Sequence, residues 1–158
     1  MGRDKALLPW AGTTLLGYQI EKMKALECFD AVWVSGDYPG YPCVRDRGPA
    51  GGPVSGIHAA AVEAGLGSVI VVLPVDMPLI ERASLQALLA EPGAAVLGDG
   101  PMPCRLPVTA ALLEKTTGSV RSLLAELGPS RVPVSRPGEL RGMNDAGEYA
   151  ALRGYNGS

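Results

Sequence analysis

Residues 68–78 read Ser-Val-Ile-Val-Val-Leu-Pro-Val-Asp-Met-Pro, and they carry the clearest indication of the fold class. After Ser68 the run to Leu73 is continuously apolar and rich in β-branched residues, which predicts a strand over residues 68–73 covered by helices on both faces. Asp76 follows the end of this strand, between two prolines that keep its backbone extended. Because ligands of open α/β sheets bind beyond the carboxyl ends of the strands, Asp76 is a candidate functional residue.

The Asp76 carboxylate has the chemistry of a magnesium ligand. Mg²⁺ takes one or two protein carboxylates and completes its coordination with phosphate oxygens and water. The alternative interpretation is a turn aspartate that caps the helix after Pro78. We favour metal binding, since the end of a buried parallel strand is where ligands bind in this class of sheet.

Further strands and helices alternate along the chain. Strands are predicted at residues 31–35, 94–97, 103–108 and 131–134, and helices at residues 13–27, 55–64, 82–90, 119–127 and 145–152. This alternation predicts an α/β fold with a mostly parallel sheet and right-handed crossovers. No repeat or linker interrupts the pattern, so we expect residues 1–158 to form a single domain.

Composition excludes several classes of protein. The chain is 47% hydrophobic and 19% charged, which is typical of a packed globular protein rather than a disordered one. A net charge of -2 offers no basic surface for nucleic acid, and no apolar run is long enough to cross a membrane. Three cysteines without CxxC spacing indicate free thiols in a reducing compartment, and the first ten residues lack the apolar segment of a secretion signal. We therefore expect a cytoplasmic protein.

Two segments have the chemistry to bind phosphate. Lys5 follows a glycine turn and precedes an amphipathic stretch, so its ammonium could reach a phosphate, although a frayed, charged terminus is the alternative. Residues 46–56 combine Asp46 with a glycine-rich run before a helix, and the unpaired N–H groups of a helix start attract anions. An ordinary loop with Ser55 as helix cap is the alternative there.

Three other residues receive weaker interpretations from the sequence alone. Residues 142–145 predict an N-cap, with Asn144 or Asp145 as the capping residue. His58 is interpreted as structural or solvent-facing, and Arg105 either faces the ligand edge or is an ordinary strand arginine. None of these positions indicates a nucleophile or a general base.

Taken together, these segments resemble the MobA-like nucleotidyltransferases, specifically the molybdenum-cofactor guanylyltransferases. That family opens with LAGGxSxRMGxDKxLL, and this chain matches from Met1 onward as MGRDKALLPWAGTTLL. The family's aspartate and GPLAG-type segment correspond to Asp46 and GPVSG, and its PxDxP corresponds to PVDMP. The closing NxNTPEDL of the family has an altered counterpart, GMNDAGEY.

The resemblance implies roles for individual residues, and it implies that Lys5 and Asp76 are the catalytic pair. By motif position, it implies that Lys5 binds the GTP phosphates and that Ser35 contacts the guanine nucleotide. It likewise implies that Asp46 contacts the nucleotide and that Asp76 binds magnesium, while Asn144 aligns with the second asparagine of NxNTP. Gly142 stands where the family has its first asparagine, so the molybdopterin side of the site departs from the family pattern.

The resemblance also implies a reaction. GMP passes from GTP to the phosphate of molybdopterin, with or without bound molybdenum, pyrophosphate leaves, and Mg²⁺ on Asp76 is the expected cofactor. A cytidylyltransferase of the same family is one alternative, and a truncated or degenerate nucleotide-binding domain without catalysis is another. Besides GTP and molybdopterin, a second copy of the chain and a protein that delivers molybdopterin are possible partners.

The fold implied by the resemblance is a three-layer, Rossmann-like, mostly parallel sheet of the nucleotide-diphospho-sugar transferase type, here without its first strand. We expect the native protein to extend about 15–20 residues upstream, the length of a strand plus a short phosphate loop. A chain that lacks this strand is expected to be poorly stable, strand-swapped or oligomeric, because unpaired buried backbone groups cost roughly 1–3 kcal/mol each.

Overall fold

The computed structural model describes residues 4–45 and 52–155, in which helices and short strands alternate. A 3₁₀ turn at Lys5–Leu7 comes first. The strands are β1 Pro9–Trp10, β2 Thr13–Thr14, β3 Val34–Ser35, β4 Cys43–Val44, β5 Val69–Val72, β6 Ala95–Leu97, β7 Cys104–Pro107 and β8 Ser130–Val132. The helices are α1 Leu15–Lys24, α2 Pro53–Ala64, α3 Arg82–Ala90, α4 Ala110–Glu114, α5 Val120–Leu127 and α6 Ala146–Tyr155.

The largest sheet has the strand order β5-β7-β6-β8. Strand β7 runs antiparallel to both of its neighbours, while β6 and β8 are parallel to each other. Three of the four strands therefore share one direction, which confirms the predicted mostly parallel sheet. Two smaller pairs lie apart from it in the described residues, namely antiparallel β1–β2 and parallel β3–β4.

Helices cover both faces of the four-stranded sheet because its side chains alternate in direction. Ile70 of β5 packs with α2, α4 and α5 in one hydrophobic cluster, together with Cys104 and Leu106 of β7. Val71, its neighbour in sequence, packs on the opposite face against a cluster formed by α1 and α3. The result is the expected order of helix, sheet and helix. Within the described residues, no helix combines the length and the hydropathy needed to cross a bilayer.

Local capping signals explain where several helices begin and end. Thr14 caps α1 by accepting a hydrogen bond from Gly17 N at 3.1 Å, and Ser119 caps α5 by accepting one from Ser122 N at 3.0 Å. Helix α5 ends at Gly128, whose φ of 57° belongs to the left-handed region that glycine adopts without strain. These ends lie within two residues of the predicted ones, and α3 has the predicted bounds.

Four predicted boundaries were wrong. Helix α1 ends at Lys24 rather than at residue 27. The strand expected over residues 31–35 is hydrogen-bonded only at Val34–Ser35. Helix α2 begins two residues before Ser55, with Gly52 at the N-cap position and Pro53 in the first turn, so Ser55 is not the cap. The terminal helix ends at Tyr155 rather than near residue 152. The sequence patterns also missed α4, β4 and the β1–β2 pair.

Candidate functional site

The loop that carries Asp76 is held in place by helix α1. Gln19 Nε2 donates hydrogen bonds to Pro74 O at 2.9 Å and to Met77 O at 3.1 Å, one on each side of Asp76. One turn further along α1, Lys22 Nζ donates to Pro78 O at 2.5 Å and to Ile80 O at 3.0 Å. Four loop carbonyls are therefore satisfied by two side chains, which fixes the path of the chain past Asp76.

The pKa of Lys22 reflects this environment. Burial lowers it from 10.5 to about 8, although the carboxylates of Glu81 and Glu139 oppose the shift. Its ammonium also lies 4.8 Å from the centre of the Tyr18 ring. The Lys22 ammonium is thus engaged in hydrogen bonds to the loop, and Lys22 is distinct from the candidate phosphate-binding Lys5.

Asp76 and Asn144 converge on Gly142. A Cβ at Gly142 would lie 3.7 Å from Asp76 Oδ2 and 3.9 Å from Asn144 Nδ2, so both side chains border the same small space. Met143 N donates to Asp76 O at 3.0 Å and ties the two segments together. Asp145 caps α6, since its Oδ1 accepts from Glu148 N at 2.8 Å. The Asn144 amide is therefore not needed for capping.

The turn that carries Lys5 is anchored by its neighbours. Asp4 Oδ1 accepts from Ala6 N at 3.0 Å, and Asp4 Oδ2 accepts from the Tyr38 hydroxyl at 2.9 Å. Ala6 is buried in a cluster against which Val75 also packs. Ala6, which follows Lys5, and Val75, which precedes Asp76, therefore lie in the same cluster.

Ser35 ends β3 and lies against the start of α2. A Cβ at Gly56 would collide with the Ser35 Oγ, so the last glycine of GPVSG allows the helix to pass this close to the strand end. The nucleotide contact predicted for Asp46 lies outside the described residues.

A cavity of about 360 Å³ occupies the middle of these segments. We call it the central cavity; its lining includes residues 31–35 and 69–75, residues of helices α1 and α2, and Ala6 and Tyr38. Ser35, the Lys5 turn and the Asp76 loop thus border one region of the molecule. Asp76 itself does not line the cavity, whose walls are mostly apolar.

The donor set around Asp76 suits magnesium. No described residue donates a hydrogen bond to its carboxylate, which is half-buried. The described part of the chain contains no group of three histidine, cysteine or acidic side chains that could enclose a metal. One carboxylate with an amide nearby fits Mg²⁺, because that ion keeps water and phosphate as most of its ligands.

His58 and Arg105 have structural roles. His58 Nε2 lies 2.8 Å from Leu113 O, which connects α2 to the end of α4. Arg105 donates to Gly93 O at 2.5 Å and serves as an ordinary strand arginine.

Sequence reasoning missed Gln19, Lys22 and Tyr38. Gln19 carried a usable signal, because it is a polar residue on the face of α1 formed by Leu15, Ile20 and Met23. A polar side chain at such a position is buried and needs a partner. Tyr38 offered no comparable signal, since its bond to Asp4 joins residues 34 positions apart.

The fold is shared with proteins of known structure. The structure superposes on a nucleotidyl transferase from Methanothermobacter thermautotroptrophicus with a TM-score of 0.74 at 21% identity, covering 96% of this chain and 84% of that one. It superposes equally well on molybdopterin-guanine dinucleotide biosynthesis protein A from Archaeoglobus fulgidus, with a TM-score of 0.74 at 21% identity and coverage of 98% and 91%. At these identities the likeness concerns the fold alone.

The sequence defines the family. A sequence model of the MobA-like NTP transferase domain matches residues 1–132, and the chain belongs to that family. It is 44% identical over 93 residues to a molybdenum cofactor guanylyltransferase from Xanthomonas euvesicatoria pv. vesicatoria, covering 57% of this chain and 47% of the relative. It is 33% identical over 118 residues to another from Ectopseudomonas mendocina, covering 67% and 58%. The chain spans about half the length of these relatives.

Proposed function

We propose that this protein transfers GMP from GTP to the phosphate of molybdopterin and releases pyrophosphate. The observation that carries the proposal is the convergence of Asp76 and Asn144 beside Gly142, at the end of β5, in a chain of the MobA-like family. Two relatives named molybdenum cofactor guanylyltransferase support the choice of substrates.

The reaction requires alignment and charge neutralisation rather than a covalent enzyme intermediate. An oxygen of the molybdopterin phosphate forms a bond to the α-phosphorus of GTP. The bond between that phosphorus and the oxygen it shares with the β-phosphate breaks, and this oxygen leaves with the pyrophosphate. Both reactants are anionic, so a low-energy path needs positive charge near the phosphates. Asp76 would hold a Mg²⁺ ion, which would supply such charge when bound.

Each proposed site residue has a distinct task. Asp76 holds the metal, and the bonds from Gln19 and Lys22 keep its loop in place. Lys5 offsets charge on the leaving pyrophosphate, and Asp4 fixes the turn that presents it. Ser35 and Asp46 contact the nucleotide, while Asn144 serves the molybdopterin side.

Substitution of Asp76 tests the metal assignment. We expect Asp76→Asn, which keeps the size of the side chain but removes its charge, to lower the rate of pyrophosphate release from GTP plus molybdopterin by about 100-fold or more. Asp99→Asn is the matched control, because Asp99 is fully exposed in a turn and forms only a 3.8 Å pair with Arg131. Undiminished activity of Asp76→Asn would remove Asp76 from the mechanism.

Nucleotide binding separates an enzyme from a non-catalytic relative. We expect Lys5→Met to weaken GTP binding in a calorimetric titration, whereas Lys24→Met should not, since Lys24 is exposed and pairs with Glu21 at 3.3 Å. CTP in place of GTP forms the second arm, and tighter binding of CTP would favour the cytidylyltransferase alternative. Binding of GTP without any pyrophosphate release would favour a domain that only binds nucleotide.

A further inference from the structure

The segment that carries Asn144 is a long loop without regular structure. Residues 133–145 belong to no helix or strand and connect the end of β8 to the start of α6. Loops of this length are uncommon in compact domains, and they are often functional. A chain without helix or strand bonds keeps many conformations unless other contacts restrain it. The place of Asn144 relative to Asp76 therefore depends on what holds this loop.

Glu139 holds the loop through its buried carboxylate. The residue is 1% exposed. Two hydrogen bonds come from the start of α3, since Glu81 N donates to Oε2 and Ser84 Oγ donates to Oε1, each at 2.6 Å. Two more come from the loop itself, from Arg136 N at 3.1 Å and from Ser135 Oγ at 3.4 Å. One carboxylate thus closes the loop on itself and binds it to α3.

The start of α3 is also where the Asp76 loop ends. Lys22 binds two carbonyls of this loop, and the second of them belongs to residue 80. Glu139 binds the N–H of the next residue, Glu81. The two loops that border the candidate site are therefore held at adjacent residues of one segment.

A second contact between the two loops lies at Met143. Its N–H donates to Asp76 O at 3.0 Å, and its side chain is 1% exposed in the cluster around Trp10. Only three residues separate Glu139 from Met143, so a chain fixed at both points has little freedom in where it places Asn144.

We propose that Glu139 is a positioning residue, which fixes Asn144 at the distance from Asp76 that transfer to the acceptor phosphate requires. The inference rests on the proposed function, in which Asn144 serves the molybdopterin side. Glu139 acts through Asn144 rather than on a substrate, because its carboxylate is buried and already accepts bonds from α3 and from the loop. A displacement of about 1 Å in a contributing group can slow a reaction about 100-fold, so the contact has a kinetic consequence.

Glu139→Gln tests the proposal. The amide keeps the size of the side chain but replaces one acceptor oxygen with a donor, so N–H and O–H groups that now bond to Glu139 lose their acceptor. We expect kcat/KM for molybdopterin to fall by about tenfold or more. The Kd for GTP should change by less than about twofold, because Gln19 and Lys22 hold the Asp76 loop separately. Ser84→Ala removes one donor only, and it should lower kcat/KM in the same direction by a smaller factor.

Hydrogen exchange at Met143 N gives a measurement that needs no substrate. Its rate is compared with that of Leu97 N in the four-stranded sheet, so that global unfolding cancels. In Glu139→Gln this ratio should rise by about tenfold or more, because the segment is then held at one point instead of two. If Glu139→Gln does not fold, Ser84→Ala is used for both measurements.

Ser119→Ala is the matched control. Ser119 caps α5, which packs on the other face of the sheet from α3, so its loss lowers the melting temperature without touching the loop. An unchanged exchange ratio at Met143, an equal loss of GTP affinity and of kcat/KM, or the same kinetic loss in Ser119→Ala would overturn the proposal. If the unsubstituted chain transfers no GMP, the proposed function fails, whereas exchange at Met143 still decides whether Glu139 fixes this segment.

Discussion

At the scale of single residues, close approaches determine which side chains the site tolerates. Gly56 lies where α2 passes the end of β3, and a Cβ there would collide with the Ser35 Oγ and lie 3.3 Å from the Ser35 Cβ. Gly142 differs, because its nearest neighbour, Asp76 Oδ2, is at an ordinary contact distance of 3.7 Å. Gly56 and Gly142 are therefore constrained to different degrees.

The contact between Gly56 and Ser35 leads to a prediction about stability. Gly56→Ala should lower the free energy of unfolding by about 1–3 kcal/mol, the usual cost of overpacking, despite the better helix propensity of alanine. Ser35→Ala removes the nearest atom, so the double variant should recover part of the loss. Urea denaturation of the four proteins in a double-mutant cycle measures this coupling. Strictly additive effects would show that the collision is relieved elsewhere.

Only some of the residues around the candidate site could be identified from the sequence. Asp76 was identified as a candidate because a strand end is recognisable from the residues before it. The residues that hold its loop, Gln19 and Lys22, lie more than 50 positions earlier. The position of Gln19 on an apolar helix face indicates that it needs a partner, but which main-chain carbonyls serve as partners cannot be read from side-chain identity. The roles of Lys5, Ser35, Asp46 and Asn144 stay predictions that rest on the resemblance.

Among the elements, helix α1 connects the four-stranded sheet and the β3–β4 pair to the Asp76 loop. Its Met23 packs in the cluster beneath β6 and β8, its Leu16 packs near β3, and its Gln19 and Lys22 bind the loop. One helix therefore packs in the core and also holds the loop that carries the candidate metal ligand.

Titration of Lys22 offers a test of this element. Because burial lowers its pKa in the folded protein to about 8, the unfolded chain binds more protons between pH 8 and 10.5. Stability contributed by Lys22 should therefore rise with pH across that window. We expect the difference in the free energy of unfolding between wild type and Lys22→Met to shift in favour of wild type from about pH 8 to pH 10.5. Lys24→Met is the control, and a difference that stays flat with pH would contradict the assignment.

The loop that follows β8 is fixed by a buried acid. Glu139 is 1% exposed; its Oε1 accepts from Ser84 Oγ at 2.6 Å, and its Oε2 accepts from Glu81 N at 2.6 Å. Burial alone would raise the pKa of Glu139, but these bonds and those from Arg136 and Ser135 lower it. The carboxylate is thereby used to bind the loop to the start of α3, and it is unavailable for chemistry.

Elements with strong local signals were the predictable part of the fold. The continuous apolar run of β5 and the glycine after α5 identified those elements within one or two residues. Strand β4 and the β1–β2 pair have two residues per strand and depend on partners rather than on their own sequence, so no periodicity could reveal them. The direction of β7 also depends on its partners, and the sequence left it open.

At the scale of the whole molecule, the sheet is interrupted at the central cavity. No hydrogen-bonded ladder crosses from β3–β4 to β5 within the described residues, and the two parts communicate through α1, α2 and the clusters around Val75. Val71 and Val72 are accordingly only half-buried, although the sequence predicts a strand covered on both faces. The fold class was predictable because it depends on the order of elements, whereas this interruption concerns how the strands pair.

The interruption predicts two levels of local stability. The four-stranded sheet has ladders between every neighbouring pair and buried clusters on both faces, so its amides should exchange only when the whole protein unfolds. Strands β3 and β4 have one short ladder and a smaller cluster, so Gly36 N, which bonds to Val44 O at 3.2 Å, should exchange at least about 100-fold faster than Leu97 N, which bonds to Pro103 O at 3.0 Å. Native-state hydrogen exchange at increasing denaturant measures both, and the two rates should merge near the unfolding midpoint. Equal protection of the two amides in the absence of denaturant would mean that the packing of α1 and α2 joins the two parts as firmly as a strand ladder, and that the cavity does not divide the molecule energetically.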